Sequence, residues 1–292
     1  MQNLRVQSVK HKEKYALATA QMRISRDFRC DHRKFGGGAA SLETMNLTGN
    51  TVLVTGGGSG IGRALAETLH RAGNRVVIAG RRRDVLQAVA DANPGIEHRH
   101  LDLAEPDSID RLATELTGSH PGLNVLVNNA AVMRTEDLSS GEAAPAEVAE
   151  QTVAVNLLGP IRLTAALLPT LLLQPEAAIA NVTSALAFVP KAVVPTYSAT
   201  KAGLHAYTQS LRHQLRHTPI QVIEIIPPRV ETDMIAEQGG AGAMSLNAFV
   251  AEMFSLLHSQ PDAAEIVVDA AQRVRFAARD GHYDDVFAAI NP

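Results

Sequence analysis

The stretch Thr51-Val52-Leu53-Val54-Thr55-Gly56-Gly57-Gly58-Ser59-Gly60-Ile61-Gly62 has two halves of different chemistry. Its first five residues are β-branched or apolar with no polar alternation, the pattern of a strand buried on both faces of a sheet. Five of the next seven are glycine. Arg63 to Gly73 then shows one apolar helical face and closes on a glycine, a common helix terminator. Strand, glycine-rich turn and helix together present backbone N–H groups and the positive end of a helix to a pyrophosphate. A side chain in the turn would hold the backbone away from the phosphates. The spacing Gly56-x-x-x-Gly60-x-Gly62 is not the six-residue G-x-G-x-x-G pattern, and the turn has no lysine for a P-loop. Gly56, Ser59, Gly60, Ile61 and Gly62 are therefore candidate contacts to a dinucleotide.

Working outward, apolar runs recur at Arg75–Ala79, about Ile96–Leu101, Leu123–Val127, Ala177–Val182 and Gln221–Ile226. Between them lie helical patterns at Pro106–Thr117, Ala146–Leu158 and Ile161–Leu172, the last two divided by Gly159-Pro160. Such alternation implies an α/β fold: a single Rossmann-type, doubly wound parallel sheet with helices on both faces. Ligands of these sheets bind at the carboxyl edge. An acidic residue ending the second strand would bind both ribose hydroxyls of NAD. Here Gly80 stands, followed by Arg81, Arg82 and Arg83. Arginine suits a 2′-phosphate through bidentate charge-assisted hydrogen bonds. NADP(H) is thus favoured and NAD(H) possible, with Arg81 as the contact; a solvated basic helix start is the alternative. Asp102 ends the third strand, where it could accept from an adenine amino group or cap the following turn. Asn128-Asn129-Ala130-Ala131 brings Asn129 to the same edge, and the fifth strand delivers Ser184. Asn156 is either a helix-end residue or the holder of a water in a proton relay.

Tyr197 and Lys201 are four apart on a helical pattern, so they share a face. A free phenol titrates near ~10, and an adjacent ammonium lowers that value. A phenol so tuned can give or take a proton near neutral pH. The Ser184 hydroxyl could donate to an oxygen that gains charge. An isolated Tyr-x-x-x-Lys is usually a surface pair; the order in which the other pieces occur gives this one weight.

That order resembles the short-chain dehydrogenase/reductase family over Leu47 to about Met234. The matching residues are Thr55-Gly56-x-x-x-Gly60-Ile61-Gly62, Asp102, Asn128-Asn129-Ala130, Asn156, Ser184, Tyr197-x-x-x-Lys201, and Pro227 with Thr232. The stretch Asn128 to Arg134 is similar to a bacterial subgroup related to DltE. The resemblance implies catalysis by Asn156, Ser184, Tyr197 and Lys201. Tyr197 would be the acid/base and Ser184 the donor to the substrate oxygen. Lys201 would hold the nicotinamide ribose and depress the phenol pKa, Asn156 a relay water, and Thr232 the carboxamide. Ala131 and Pro228 stand where the family usually has glycine.

Composition adds limits. The net charge of −3 gives no nucleic-acid signal. Residues 1–44 carry nine Lys/Arg against four Asp/Glu and end in Gly36-Gly37-Gly38-Ala39-Ala40-Ser41. They read as a basic, disordered N-terminal extension, ahead of one oxidoreductase domain over 45–292 that opens at Met45. Cys30, the only cysteine, lies in that extension, as expected of a cytoplasmic protein. No apolar run reaches the ~18–20 residues that span a bilayer, so no membrane partner is expected. The helix at Ile161–Leu172 is apolar around most of its circumference, which means deep burial or a subunit contact. A homodimer or homotetramer is the expected assembly. His213 and His217 are four apart without a third ligand, so no metal is expected. Residues 229–260, with Gly239-Gly240-Ala241-Gly242, read as a substrate lid. Helices are expected at Leu246–Leu257 and Asp262–Ala278, with no seventh strand after Asp280. The function expected is hydride transfer between NADP(H) and a small carbonyl or alcohol substrate. The alternative is a cofactor-binding sensor or scaffold with little turnover.

Overall fold

The computed structural model describes residues 47–139, 146–236 and 242–292. The extension 1–44 and the glycines Gly239 and Gly240 of the expected lid lie outside the described residues. Seven strands form one sheet: β1 (Thr51–Thr55), β2 (Arg75–Gly80), β3 (Glu97–His100), β4 (Leu123–Asn128), β5 (Ala177–Val182), β6 (Ile220–Ile226) and β7 (Glu265–Val267). All pairings are parallel, in the order β3-β2-β1-β4-β5-β6-β7. The chain winds outward in both directions from the β1/β4 junction, the switch point where such sheets open a crevice.

The helices are α1 (Gly60–Arg71), α2 (Arg83–Ala92), α3 (Pro106–Ser119), α4 (Ala146–Val153), α5 (Gly159–Leu172), α6 (Pro195–Leu215), α7 (Asp233–Ala236), α8 (Leu246–Ser259), α9 (Asp269–Arg275) and α10 (Tyr283–Ile290). Side chains alternate along a strand, so β1 sends Val52 and Val54 to one face and Leu53 to the other. The first face packs on Leu65 of α1, Leu86 of α2 and Phe249 of α8. The second packs on Leu112 of α3, Leu163 and Leu167 of α5, and Leu211 of α6. These are the two helix layers that the alternation of strands and helices implied.

Two readings change. The helices expected on either side of Gly159-Pro160 are one continuous run, because residues Ala154–Leu158 form a π-helical segment between α4 and α5. Proline lacks an N–H and its ring collides with the carbonyl four residues back; the wider π turn takes up that collision without breaking the helix. Gly159 itself lies against Leu103, where an added Cβ would come within 2.7 Å of the Leu103 Cβ. By length and composition this run could cross a membrane, with mean hydropathy 1.4 over 18 residues, but half of that window is buried inside the domain. The second change is at Asp262–Ala278, which is not one helix. Glu265–Val267 forms β7 beside β6, and α9 starts only at Asp269. Three residues are too few for period-two alternation to show. The tail after Asp280 is helix α10.

Candidate active site

The loops that leave the carboxyl edge after β1 to β6 all contribute to one cleft of about 520 Å³. Gly56, Ser59, Gly60 and Ile61 come from the turn after β1, Arg81 from the end of β2 and Asp102 from the end of β3. Asn129 follows β4, Ser184 follows β5, and Thr232 follows β6. Tyr197 and Lys201 of α6 complete the wall. Of the sequence candidates, Gly62 and Asn156 do not line the cleft; each lies one layer behind it.

The glycine turn is packed to the limit. Gly56 has φ +69°, and a Cβ on it would come within 2.9 Å of the Ala130 Cα. A Cβ on Gly62 would meet the Asn129 Nδ2 at 2.3 Å and the Gly56 carbonyl oxygen at 2.4 Å. The Asn129 amide donates to the Thr55 carbonyl at 2.9 Å. The buried Thr55 hydroxyl receives the N–H groups of Asn129 (3.0 Å) and Ala130 (3.1 Å). Thr55, which sequence reasoning left without a role, thus ties the end of β1 to the end of β4. The resulting cradle, free of side chains over the N-terminus of α1, fits a dinucleotide pyrophosphate. At the adenosine end Arg81 and Arg82 both line the cleft, and Arg82 donates to the Ser59 hydroxyl at 3.0 Å. The three-arginine run pointed to this place, yet the run itself could not say that a second arginine reaches the cleft. Asp102 accepts the Ala104 N–H at 3.0 Å, so it caps its turn as well as facing the cleft.

At the other end, Ser184 opens the 3₁₀ turn Ala185–Ala187, and its hydroxyl oxygen accepts the Leu186 N–H at 3.1 Å. Its own proton stays available on the Tyr197 side, where it opposes the effect of burial on the phenol. Tyr197 is 8% exposed and Lys201 2%. The Lys201 ammonium lies 5.7 Å from the centroid of the tyrosine ring and donates to the Val182 carbonyl at 2.8 Å. Burial pushes the phenol up to about 12, against the Ser184 hydrogen bond. Burial likewise brings Lys201 down to about 8, opposed by the charge of Glu224. The lysine was expected to depress the phenol; with its Nζ turned to Val182, desolvation dominates both groups instead. Asn156 is 1% exposed and lies in the π segment. Its Oδ1 accepts the Val132 N–H and its Nδ2 donates to the Val132 carbonyl, both at 2.8 Å, with a further contact to the Thr200 hydroxyl at 3.3 Å. It fastens the loop after β4 to the helix that carries Tyr197. Ala131 lines the cleft and Pro228 does not, though Pro227 does.

Several contributors had no role assigned from the sequence. Glu136, in the loop read only as polar, accepts the Thr196 N–H (3.1 Å) and hydroxyl (2.7 Å) at the start of α6. Asn128 donates to Asn181 at 2.9 Å and Asn181 to Thr208 at 2.8 Å, a buried polar chain from β4 through β5 to α6. His205, Glu224 and Glu265 bring one ligand atom each within 4.8 Å of one another. Both Glu265 oxygens are already held by Arg275 at 2.8 Å, and Glu224 by Thr183 and His205, so a cation there would have to displace these partners.

Comparison with known proteins agrees with this geometry. The family model for short chain dehydrogenases matches residues 50–241. The uncharacterized oxidoreductase DltE of Bacillus subtilis (strain 168) is 37% identical over 250 residues, 85% of this chain and 98% of DltE. A metagenomic short-chain oxidoreductase solved in complex with NADP is 31% identical, with TM-score 0.64 over 76% of this chain and 97% of its own. A short chain dehydrogenase/reductase from Burkholderia phymatum, solved with NAD, shares the fold at TM-score 0.72 and 21% identity, covering 82% of this chain and 96% of its own. The chain therefore belongs to the short-chain dehydrogenase family and is an oxidoreductase of CH–OH and C=O groups.

Proposed function

We propose that the protein is an NADP(H)-dependent oxidoreductase of a small carbonyl or alcohol, with Tyr197 as its acid/base. One observation carries the reading: Ser184, Tyr197 and Lys201 meet, nearly buried, in the same cleft that runs back to the glycine turn and two arginines. The dinucleotide supplies or accepts the hydride. The chain's own residues do the rest. Arg81 and Arg82 take the 2′-phosphate, and the turn from Gly56 to Gly62 receives the pyrophosphate. Asp102 and Asn129 border the adenosine and central parts, and Thr232 the carboxamide. Ser184 donates to the substrate oxygen, and Tyr197 passes the proton to that oxygen in reduction or takes it in oxidation. Lys201, turned from Val182 toward the ribose, would then lower the phenol toward working pH. The Asn156 oxygen keeps a second acceptor position for a relay water. The reading places the enzyme in the cytoplasm as a homodimer or homotetramer; the exposed Leu172 (41%) and Leu173 (83%) offer an apolar contact at the end of α5. The extension 1–44 takes no part in it, and of residues 229–260 only the part before α8 acts as the lid, because Phe249 and Met253 fix α8 in the core.

Fluorescence titration with NADPH and NADH tests the cofactor: NADPH binds more tightly by at least tenfold, and an equal or reversed preference sinks the arginine assignment. Tyr197→Phe keeps that affinity and loses turnover on carbonyls by 10²-fold or more, the usual scale of acid–base catalysis. Tight NADPH binding with no turnover of any carbonyl by the wild type would make it a sensor.

A further inference from the structure

A buried carboxylate lies behind the cleft, outside the roles so far assigned. Glu224 of β6 is fully buried. An isolated charge is costly in such surroundings, so it must be paired or hydrogen-bonded. Its Oε1 accepts the Thr183 hydroxyl at 2.7 Å, and its Oε2 lies 2.8 Å from the His205 Nδ1. Thr183 is the residue before Ser184, and its N–H is fixed to the Ile225 carbonyl at 2.9 Å. His205 is one helical turn beyond Lys201 on α6. The Phe188 ring closes over the imidazole edge-on at 4.7 Å, and Arg275 covers Phe188 at 4.1 Å. One carboxylate thus touches the strand end that bears Ser184 and the helix that bears Tyr197 and Lys201.

We propose that Glu224 is a positioning residue: its buried carboxylate, held by Thr183 and His205, keeps the Ser184 strand end against α6 and stands as the counter-charge behind Lys201. The functional half of this idea rests on the role given to Lys201 above. The charge of Glu224 opposes the effect of burial on Lys201. The other groups around it come from three elements: His205 and Arg212 from α6, Glu265 from β7, and Arg275 of α9. Glu265 and Arg275 pair with each other in a bidentate bridge. Arg212 spends its donors on the Val222 and Ala264 carbonyls at 2.8 Å. Glu224, whose own partners are the Thr183 hydroxyl and His205, is the carboxylate of this group whose charge acts on Lys201.

The test needs no turnover. The chain has six lysines, two of them beyond residue 44, Lys191 and Lys201. With ¹³Cε-labelled lysine in the full chain, each ammonium can be titrated by NMR and the Lys201 signal assigned by its loss in Lys201→Arg. In the wild type Lys201 should titrate well below its ordinary 10.5. Glu224→Gln keeps the shape and one acceptor oxygen but removes the charge; the Lys201 midpoint should fall further, by about one pH unit. Thr183→Val removes the hydroxyl alone and should leave the midpoint where it is. If Glu224→Gln does not fold, the double variant His205→Leu/Glu224→Leu removes the anion with its partner, a change buried pairs often survive, and should give the same fall. An unchanged Lys201 midpoint without the Glu224 charge overturns the proposal, whatever the turnover. A lowered midpoint upholds it even if Tyr197→Phe has shown that the tyrosine mechanism is wrong, so the two readings fail separately.

Discussion

Lys201 shows best how a single residue is set by competing terms. Burial lowers it to about 8 from an ordinary 10.5. Between those values the unfolded chain binds more protons than the folded one, so stability rises with pH there. Put the other way, the contribution is present above 10.5 and lost as pH falls through 8. Lys201→Met, which cannot titrate, should lack this rise. Urea unfolding at pH 7 and pH 10 should show the wild type gaining on the variant by on the order of 2 kcal/mol. A constant difference would mean that the lysine is solvated. Tyr197, held near 12, works in the opposite sense: its contribution is present below 10 and lost toward 12, so the comparison should stop at pH 10. The residues themselves were legible. Tyr197, Lys201, Ser184 and the glycines stand at spacings that helix and turn geometry make meaningful. What sequence could not give was Glu224 or Glu136, because a carboxylate in a strand or loop gains its meaning only from partners far along the chain.

Elements were legible where they were long and apolar. β1, β4, β5 and β6 show themselves as continuous apolar runs because both faces are covered. β3 is different: its residues are Glu97-His98-Arg99-His100, and none of the four is buried. It is an edge strand held by charge. Glu97 receives Arg75 at 2.8 Å, Arg99 at 3.0 Å and His120 at 3.1 Å. Burial pushes its carboxyl up, but the hydrogen bonds of Arg75 and His120 outweigh this and bring it down to about 2. A depressed carboxylate stabilises above its unfolded value of 4.5 and loses that effect as pH falls toward 2. Glu97→Gln should therefore be less stable than wild type at pH 7, by about 1 kcal/mol or less because the group is part exposed. The gap should close between pH 4.5 and pH 2 in thermal melts; a gap that persists at pH 2 would assign it to packing. The π segment and β7 escaped the sequence for physical reasons. A π turn leaves no periodic mark, and a strand of three residues is shorter than any pattern that could announce it.

Taken as a whole, the molecule closes on its active site from the C-terminal end. Asn291, just past α10, accepts the Ala192 N–H at 2.6 Å and donates to the Pro190 carbonyl at 3.1 Å. Val189 packs with Ala277 and Val286 beneath it. The segment between Ser184 and Tyr197 is therefore held by the chain's last helix. Asn291→Ala should cost about 1 kcal/mol, read by chemical denaturation. It should lower kcat or raise KM while NADPH affinity stays put, since the glycine cradle is built from the other half of the sheet. An equal loss of cofactor affinity would mean that the clasp serves the whole domain. The π segment has a consequence for how the chain compares with its kin. It is an α-helix with one residue too many between Val153 and Pro160. A homologue with one residue fewer there would close as plain α-helix with both flanks keeping their faces, and only the residues of the bulge would turn away from the Val132 loop. Asn156 could then no longer reach Val132 while α5 kept its seat on the sheet. A single-residue gap at this place in an alignment should accordingly mark the boundary of the group that shares this loop anchor.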